Sequence, residues 1–534
     1  MVQPAAGSVP SAPVMGAVPP QPTQGMAAST PDDDAGKLAD AATPADPKDG
    51  SASEHEPDDL TLTNIDVSND TKRRFGAPLV AVNPKDPNNI VVLAQSNMGY
   101  TRQCVAAGAG SDCEPVPAIS IAGIPIIYEP RGMYRTPAFM DVGIFVSFDR
   151  GMTWKTVDVS GILPPGHPEI NSKGEGPLAV TADGTFYIGY NAMNWGDDQN
   201  FFPNAGVGVI KSIDGGMTWN WAGLSQTPAD WPYGDVDLST GTFYVVSGIG
   251  FSTLGARSTG MVGAPEGTIG DRWIASTQDG VNWTTPQPLG GTKGTDHVSA
   301  SHSGVTAARG IAATLFLATD ATSCAFFLGG GGSNQCLVFQ TSTDAGATWN
   351  RHRVPVPADF TPTQITGIEV AADPSTKGHF AAILLDQSGS QFWVYETRDS
   401  GTSWTGPIKV SEDTTKVHFS PWVAYSPKGE LGLMWRTYET AVANSGASAP
   451  YLPFSVWAAI SSDGGAVFSQ PLKVSKANSP APPDDPNDQY SWLGDHGPSG
   501  IALDGHGHVY VVWADWTPGE RSIFFSAISV KAFK

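Results

Sequence analysis

SFDRGMTW occupies residues 147–154, and five variants of it follow: SIDGGMTW (212–219), STQDGVNW (276–283), STDAGATW (342–349), TRDSGTSW (397–404) and SSDGGAVF (461–468). Their starts lie 65, 64, 66, 55 and 64 residues apart, and a spacing that regular signals a repeat architecture. The chemistry of each copy is local. An Asp carboxylate can accept hydrogen bonds from backbone N–H groups of its own turn, and Gly supplies the positive φ that closes it. The terminal aromatic can then fold back and pack between sheets. Apolar runs such as VGIFV (142–146) and GVGVI (206–210) come directly before the motif, so each copy is expected to cap a hairpin. In the third copy Gln278 stands where the others have Asp, and the turn there is expected to have lost its carboxylate.

Upstream of each motif runs a second repeated element: an apolar strand, a turn and another strand. GPLAVTADGTFYIGY, SPWVAYSPKGELGLMW and GPSGIALDGHGHVYVVWAD are three of its seven copies. Two strands from this element and two from the motif hairpin make a four-stranded unit. Seven such units account for residues 59–534 as an all-β propeller of seven blades, with six or eight as the alternatives. LTLTNIDV (60–67) is expected to close the ring as the outermost strand of the last blade. Residues 1–58 are rich in Pro, Ala, Ser, Gly and Asp without a hydrophobic period, and read as a disordered tail or tether.

Composition narrows the partners. The 52 Asp and Glu against 30 Lys and Arg give a formal charge of -22, which repels phosphate backbones and anionic lipid. No apolar run is long enough for a transmembrane helix, and no basic n-region or apolar h-region opens the chain. The four cysteines form two close pairs, Cys104 with Cys113 and Cys324 with Cys336, in Gly-, Ser- and Ala-rich surroundings. Local disulfides in an exported, extracellular or cell-surface protein fit this best; four free thiols and a shared zinc site are the alternatives. No phosphate loop, nucleophile elbow, H-E-x-x-H or EF-hand spacing is present. The expectation is therefore no cofactor and no catalytic metal, with structural calcium left open, in a monomer.

The repeated motifs resemble the boxes of Asp-box (BNR) propellers, and the chain is similar to the sialidase superfamily over about nine-tenths of its length. The resemblance implies that the boxes lie opposite the ligand face. Asp149, Asp214, Asp344, Asp399 and Asp463, and the box tryptophans Trp154, Trp219, Trp283, Trp349 and Trp404, are then structural. It also implies a glycan ligand, an arginine triad for a sialate carboxylate, a Tyr–Glu nucleophile and an Asp acid. Tyr134–Arg135–Thr136–Pro137 matches the family's first arginine string, but it stands ten residues before a box rather than on an inner strand. Arg74 is better placed in a different local sequence, and the family's sialidases have six blades.

If the boxes occupy one face, two sets of loops build the other. Glu175, Asp235 and Asp495 are the candidate catalytic carboxylates, expected just before inner strands together with Arg74, His297, His418 and His496. Arg436, Tyr438, Trp195 and Trp516 follow second strands and are candidate ligand contacts; the two tryptophans would stack on sugars. His506 and His508 in the DGHGH turn belong to the box face. Three functions fit: an exo-acting glycoside hydrolase of sialidase type, a non-catalytic surface propeller that binds glycan or protein, or a polysaccharide lyase using Arg436, Tyr438 and His418.

Overall fold

The computed structural model describes residues 63–70, 74–97, 141–167, 172–193, 204–225, 232–248, 272–289, 304–318, 336–356, 368–386, 389–410, 415–439, 452–480, 500–519 and 521–533, with short pieces between them. The segment 1–58 lies outside the described residues. Seven antiparallel sheets of four or five strands follow one another along the chain, the first six built from inside outward in sequence order and the seventh completed by a strand from the start of the described chain. Their inner strands are Arg74–Asn83, Leu178–Val180, Tyr233–Asp237, Thr306–Ala308, Ile368–Ala372, His418–Tyr425 and Gly500–Leu503. We number the blades 1 to 7 in that order. In blades 2 and 4 the inner edge is broken, and a short extra segment (Ser172–Lys173 and Val298–Ala300) pairs further along the same second strand.

The strands carry apolar residues on both faces because each blade is covered on both sides. In the second strand of blade 6, Leu431–Tyr438, Leu433 and Trp435 pack toward blade 5, while Met434 and Tyr438 pack toward blade 7. The period of two thus serves two seams at once. Each of the seven interfaces between neighbouring blades has its own buried cluster, including one of Phe75, Ile90 and Phe145 from blade 1 with Tyr510, Ile523 and Phe525 from blade 7. The ring is closed as the sequence implied. Ile65–Asp66 is the outermost strand of blade 7, with Ile65 opposite Phe525. Around it the Val67 N–H donates to Ile523 O (2.8 Å) and the Ile523 N–H to Ser68 Oγ (3.0 Å).

The box turns all join third to fourth strands, and so share a face with the turns between first and second strands. In blade 1 the Ser147 hydroxyl donates to Asp149 (2.7 Å) and accepts from the Gly151 N–H (2.8 Å). Asp149 also accepts from the Thr153 N–H (2.8 Å), and the Trp154 indole N–H returns to Gly151 O (2.9 Å). Blades 2 and 4 repeat the pattern with Asp214 and Asp344. Gly151 has φ +85°, and a Cβ there would lie 2.2 Å from the Phe525 ring, so both the backbone and the seam require glycine.

The third copy departs from the expectation. Its strand, Arg272–Thr277, runs one residue further than its counterparts, so Thr277 takes the place of the serine. Thr277 Oγ1 donates to Asp279 (3.1 Å) and accepts from the Gly280 N–H (2.9 Å), while Asp279 accepts from the N–H groups of Val281 (2.8 Å) and Asn282 (2.7 Å). The carboxylate is not lost; it is supplied one position later in a turn one residue shorter. Asp279→Asn should therefore destabilise the fold by about 1–2 kcal/mol. Gln278→Ala should stay within about 0.5 kcal/mol of wild type. Urea unfolding of both variants checks this, and equal effects would reverse the assignment.

The box face also holds a buried polar knot between blades 5 and 6. His379, 1% exposed, has Nδ1 2.7 Å from Asp373 Oδ2 and Nε2 3.2 Å from Glu396 Oε2. Arg398 donates to Glu396 (3.3 Å) and to Asp463 O of the blade 6 box (3.3 Å), and the Tyr425 hydroxyl donates to Gly464 O (2.8 Å). His508 sits on the same face, 2.9 Å from Asp504, as its turn sequence implied.

Candidate functional site

The opposite face is formed by the entries to the inner strands and by the connections from second to third strands. Beneath it the inner strands of all seven blades line an axial cavity of about 240 Å³. Its wall is largely apolar, with Val80, Val236, Ala307, Val370, Val423 and Ile501 among its residues, and Asp235 is the one carboxylate of the described lining.

Glu175 lies between the two short inner segments of blade 2, in Glu175–Gly176–Pro177. The Asn191 N–H donates to Glu175 O (3.1 Å) and the Gly189 N–H to Pro177 O (3.0 Å), which fix the segment on the second strand. A Cβ on Gly176 would lie 2.0 Å from Gly189 O, so only glycine permits the approach. The half-buried Glu175 carboxylate accepts from Gln95 Nε2 of blade 1 at 2.9 Å. Two residues earlier Lys173, 2% exposed, bonds to Asp141 (3.1 Å) and to Ser160 O (2.9 Å). Gln95, Lys173 and Asp141 come together only through contact between blades 1 and 2, which motif spacing does not encode. The lysine two places before Glu175 was the available signal.

Asp235 lies inside the inner strand of blade 3, not before it as expected. Its side chain crosses to blade 4: Oδ2 accepts from Thr306 Oγ1 (2.9 Å) and the Ala307 N–H (3.0 Å), and Oδ1 from the Val236 N–H (2.7 Å). Thr306 Oγ1 in turn accepts from the Ala372 N–H of blade 5 (2.9 Å). Burial raises the Asp235 carboxyl to about 6, against the opposing pull of these hydrogen bonds. Glu175 and Asp235 stand on neighbouring inner strands, since a Cβ on Gly234 would lie 3.2 Å from Pro177 Cβ.

The other candidates divide sharply. Arg74 opens the inner strand of blade 1, opposite Asn97. His418 opens that of blade 6; it is 4% exposed, stacks on Phe392 at 5.2 Å and shares a 2.9 Å hydrogen bond with Thr437. Burial pushes its imidazole down to about 4, so it is neutral at neutral pH. Arg436 is fully buried, its guanidinium 5.3 Å from the ring centroids of both Phe419 and Phe454. Tyr438 stacks on Phe419 at 4.1 Å, and Trp516, 1% exposed, packs under Arg521. Arg436, Tyr438 and Trp516 were expected to face a ligand; all three are buried, Arg436 and Tyr438 against Phe419 and Trp516 against Arg521. Trp195, His297, Asp495 and His496 lie outside the described residues, as do Cys104, Cys113 and Cys324. Cys336, at the head of the third strand of blade 4, carries no free thiol. Among the described residues no group of three or more His, Cys, Asp and Glu is arranged to hold a metal ion, and no helix is long and apolar enough to cross a membrane.

No protein-family model matches the chain, and no curated protein matches it in sequence. Solved structures do. A protein of unknown function from Dyadobacter fermentans is similar at a TM-score of 0.44 and 14% identity, over 87% of this chain and 97% of that one. A Hadza microbial sialidase is similar at 0.41 and 16%, over 89% and 96%. An α-L-arabinanase of Penicillium chrysogenum, solved with arabinobiose, is similar at 0.39 and 13%, over 89% and 99%.

Proposed function

We propose that the chain is a glycan-directed propeller of glycoside hydrolase type, acting outside the cell on chain ends at the mouth of the axial cavity. What supports this is that Glu175 and Asp235 stand on adjacent inner strands in unlike environments, the first bonded to blade 1 and the second to blade 4. Asp235 holds its proton to about pH 6, as a general acid must, while Glu175 is oriented by Gln95 as the partner base or nucleophile. Asp495 is the third carboxylate of this reading. A lyase has less support, because Arg436, Tyr438 and His418 are buried and His418 is neutral.

A panel of aryl glycosides tests the reading. Glu175→Gln and Asp235→Asn should each lower kcat by about 10²-fold or more. Wild-type activity should fall as pH rises through about 6, where the acid loses its proton. Asp235 gives a second check that needs no substrate. Its folded-state value lies above the unfolded one, so the stability it contributes is full below about pH 4 and is lost as pH rises to about 6, by up to roughly 3 kcal/mol. Asp235→Asn should flatten that slope. Full activity in both variants would remove these residues from the site.

One observation favours binding without turnover: both Asp235 oxygens are already filled by donors from the protein, as in a purely structural clamp. Glycan binding by a wild type that hydrolyses no member of the panel would establish that alternative.

A further inference from the structure

A second groove lies away from the mouth, on the outer side of blade 4 where its last strand, Asn350–Arg353, meets the box turn of blade 5. It is an open groove with a volume of about 570 Å³, within the range of small-ligand sites. Trp349, Asn350, Arg351, His352, Ser400 and Thr402 line it. The half-buried Trp349 is anchored through its indole N–H to Gly346 O (3.1 Å). His352 is set by the approach of Gly401, where a Cβ would be 3.1 Å from its ring. Asn350 and Thr402 are exposed, and Arg351 donates to Leu289 O at 3.5 Å.

We propose that this groove is an accessory binding site for neutral saccharide. Trp349 packs against the cluster between blades 3 and 4, and the part of it that lines the groove offers an apolar surface to the C–H face of a sugar ring. A carboxamide and an imidazole are planar groups that can bond to vicinal hydroxyls. The charge around the groove is net negative, two ionised carboxylates against the one guanidinium of Arg351, which disfavours anions. Asp344 and Asp399, in the box turns on either side, are held ionised: hydrogen bonds from the Thr348 hydroxyl and N–H keep Asp344 at about 2, and those from Ser403 lower Asp399. Burial lowers the basicity of His352, although Asp399 pulls it the other way. The site does not depend on the chemistry at the mouth; it would hold a polymer on the protein whether or not the mouth cleaves it.

Calorimetric titration of the full chain with xylo-, arabino-, galacto-, manno- and cello-oligosaccharides, and with oligogalacturonates, tests this. At least one neutral series should bind, and Asn350→Ala/His352→Ala should weaken it on the order of tenfold, with the fold checked by circular dichroism. Glu175→Gln should leave that binding intact, which separates this groove from the proposed mouth. Binding by no neutral series would overturn the proposal. So would preference for the uronates, or binding lost in Glu175→Gln and kept in the groove variant.

Discussion

His379→Ala should cost the protein about 3–5 kcal/mol at neutral pH, although the residue lies on the face opposite the mouth. The ring stands between two carboxylates, Asp373 at 2.7 Å and Glu396 at 3.2 Å, whose side chains are only 3% and 6% exposed. Removing it leaves two buried carboxylates facing a void, with Ser375 still donating to the first and Arg398 to the second. Burial raises the Asp373 carboxyl, but hydrogen bonds from His379 and Ser375 outweigh it and hold the group below its ordinary value. A depressed carboxyl contributes stability that is present above its unfolded value and lost as pH falls through the folded one. The gap between wild type and variant should thus be widest near pH 7 and shrink below about pH 4. Glu396→Gln added to His379→Ala should restore part of the loss. Denaturant unfolding at both pH values measures all three, and a variant within about 1 kcal/mol of wild type at neutral pH would show that the knot is inert.

The second large effect is expected at the seam. Val67→Asp would place a charge at a 4% exposed position in the cluster shared by blades 1 and 7, at a cost of about 3–5 kcal/mol. Deleting residues 60–70 should be more severe. It removes the Ile65–Asp66 strand, the bonds of Val67 and Ser68 to Ile523, and those of Asn64 to Val474 O (3.0 Å) and the Lys476 N–H (2.6 Å). It also exposes the edge of Ser522–Ser529, a template for aggregation. A deletion of residues 1–58 is the control and should melt like the full chain. Thermal unfolding with light scattering distinguishes them; equal behaviour of the two deletions would mean that the seam strand is dispensable.

Blade count, box turns and closure were legible because each rests on a local pattern that repeats. Reading the third box failed by one residue: alignment on Ser276 made Gln278 the counterpart of Asp, whereas strand length makes Thr277 the first residue of the turn. The rim was harder to read. Position along a strand tells which end a residue occupies but not which blade it faces. Arg436 and Trp516 have the expected address, and both side chains are buried there. Pairs such as Gln95 with Glu175, or His379 with Glu396, depend on register and on blade-to-blade contact, which the spacing of motifs does not encode.

The pairing of Ile65–Asp66 with the last blade also sets a schedule for synthesis. Ser68 waits for Ile523, 455 residues later, before its hydroxyl can accept a hydrogen bond. At about 5–20 residues per second the interval is roughly 20–90 s. Blades 1 to 6 consist of consecutive hairpins and can form in order behind the ribosome, but the first strand must stay unpaired through all of that time. Ring closure is therefore a late event, completed only when the chain is almost finished. A circularly permuted gene that joins the two ends and opens the chain between two interior blades would move this delay to another seam without changing any contact in the folded ring.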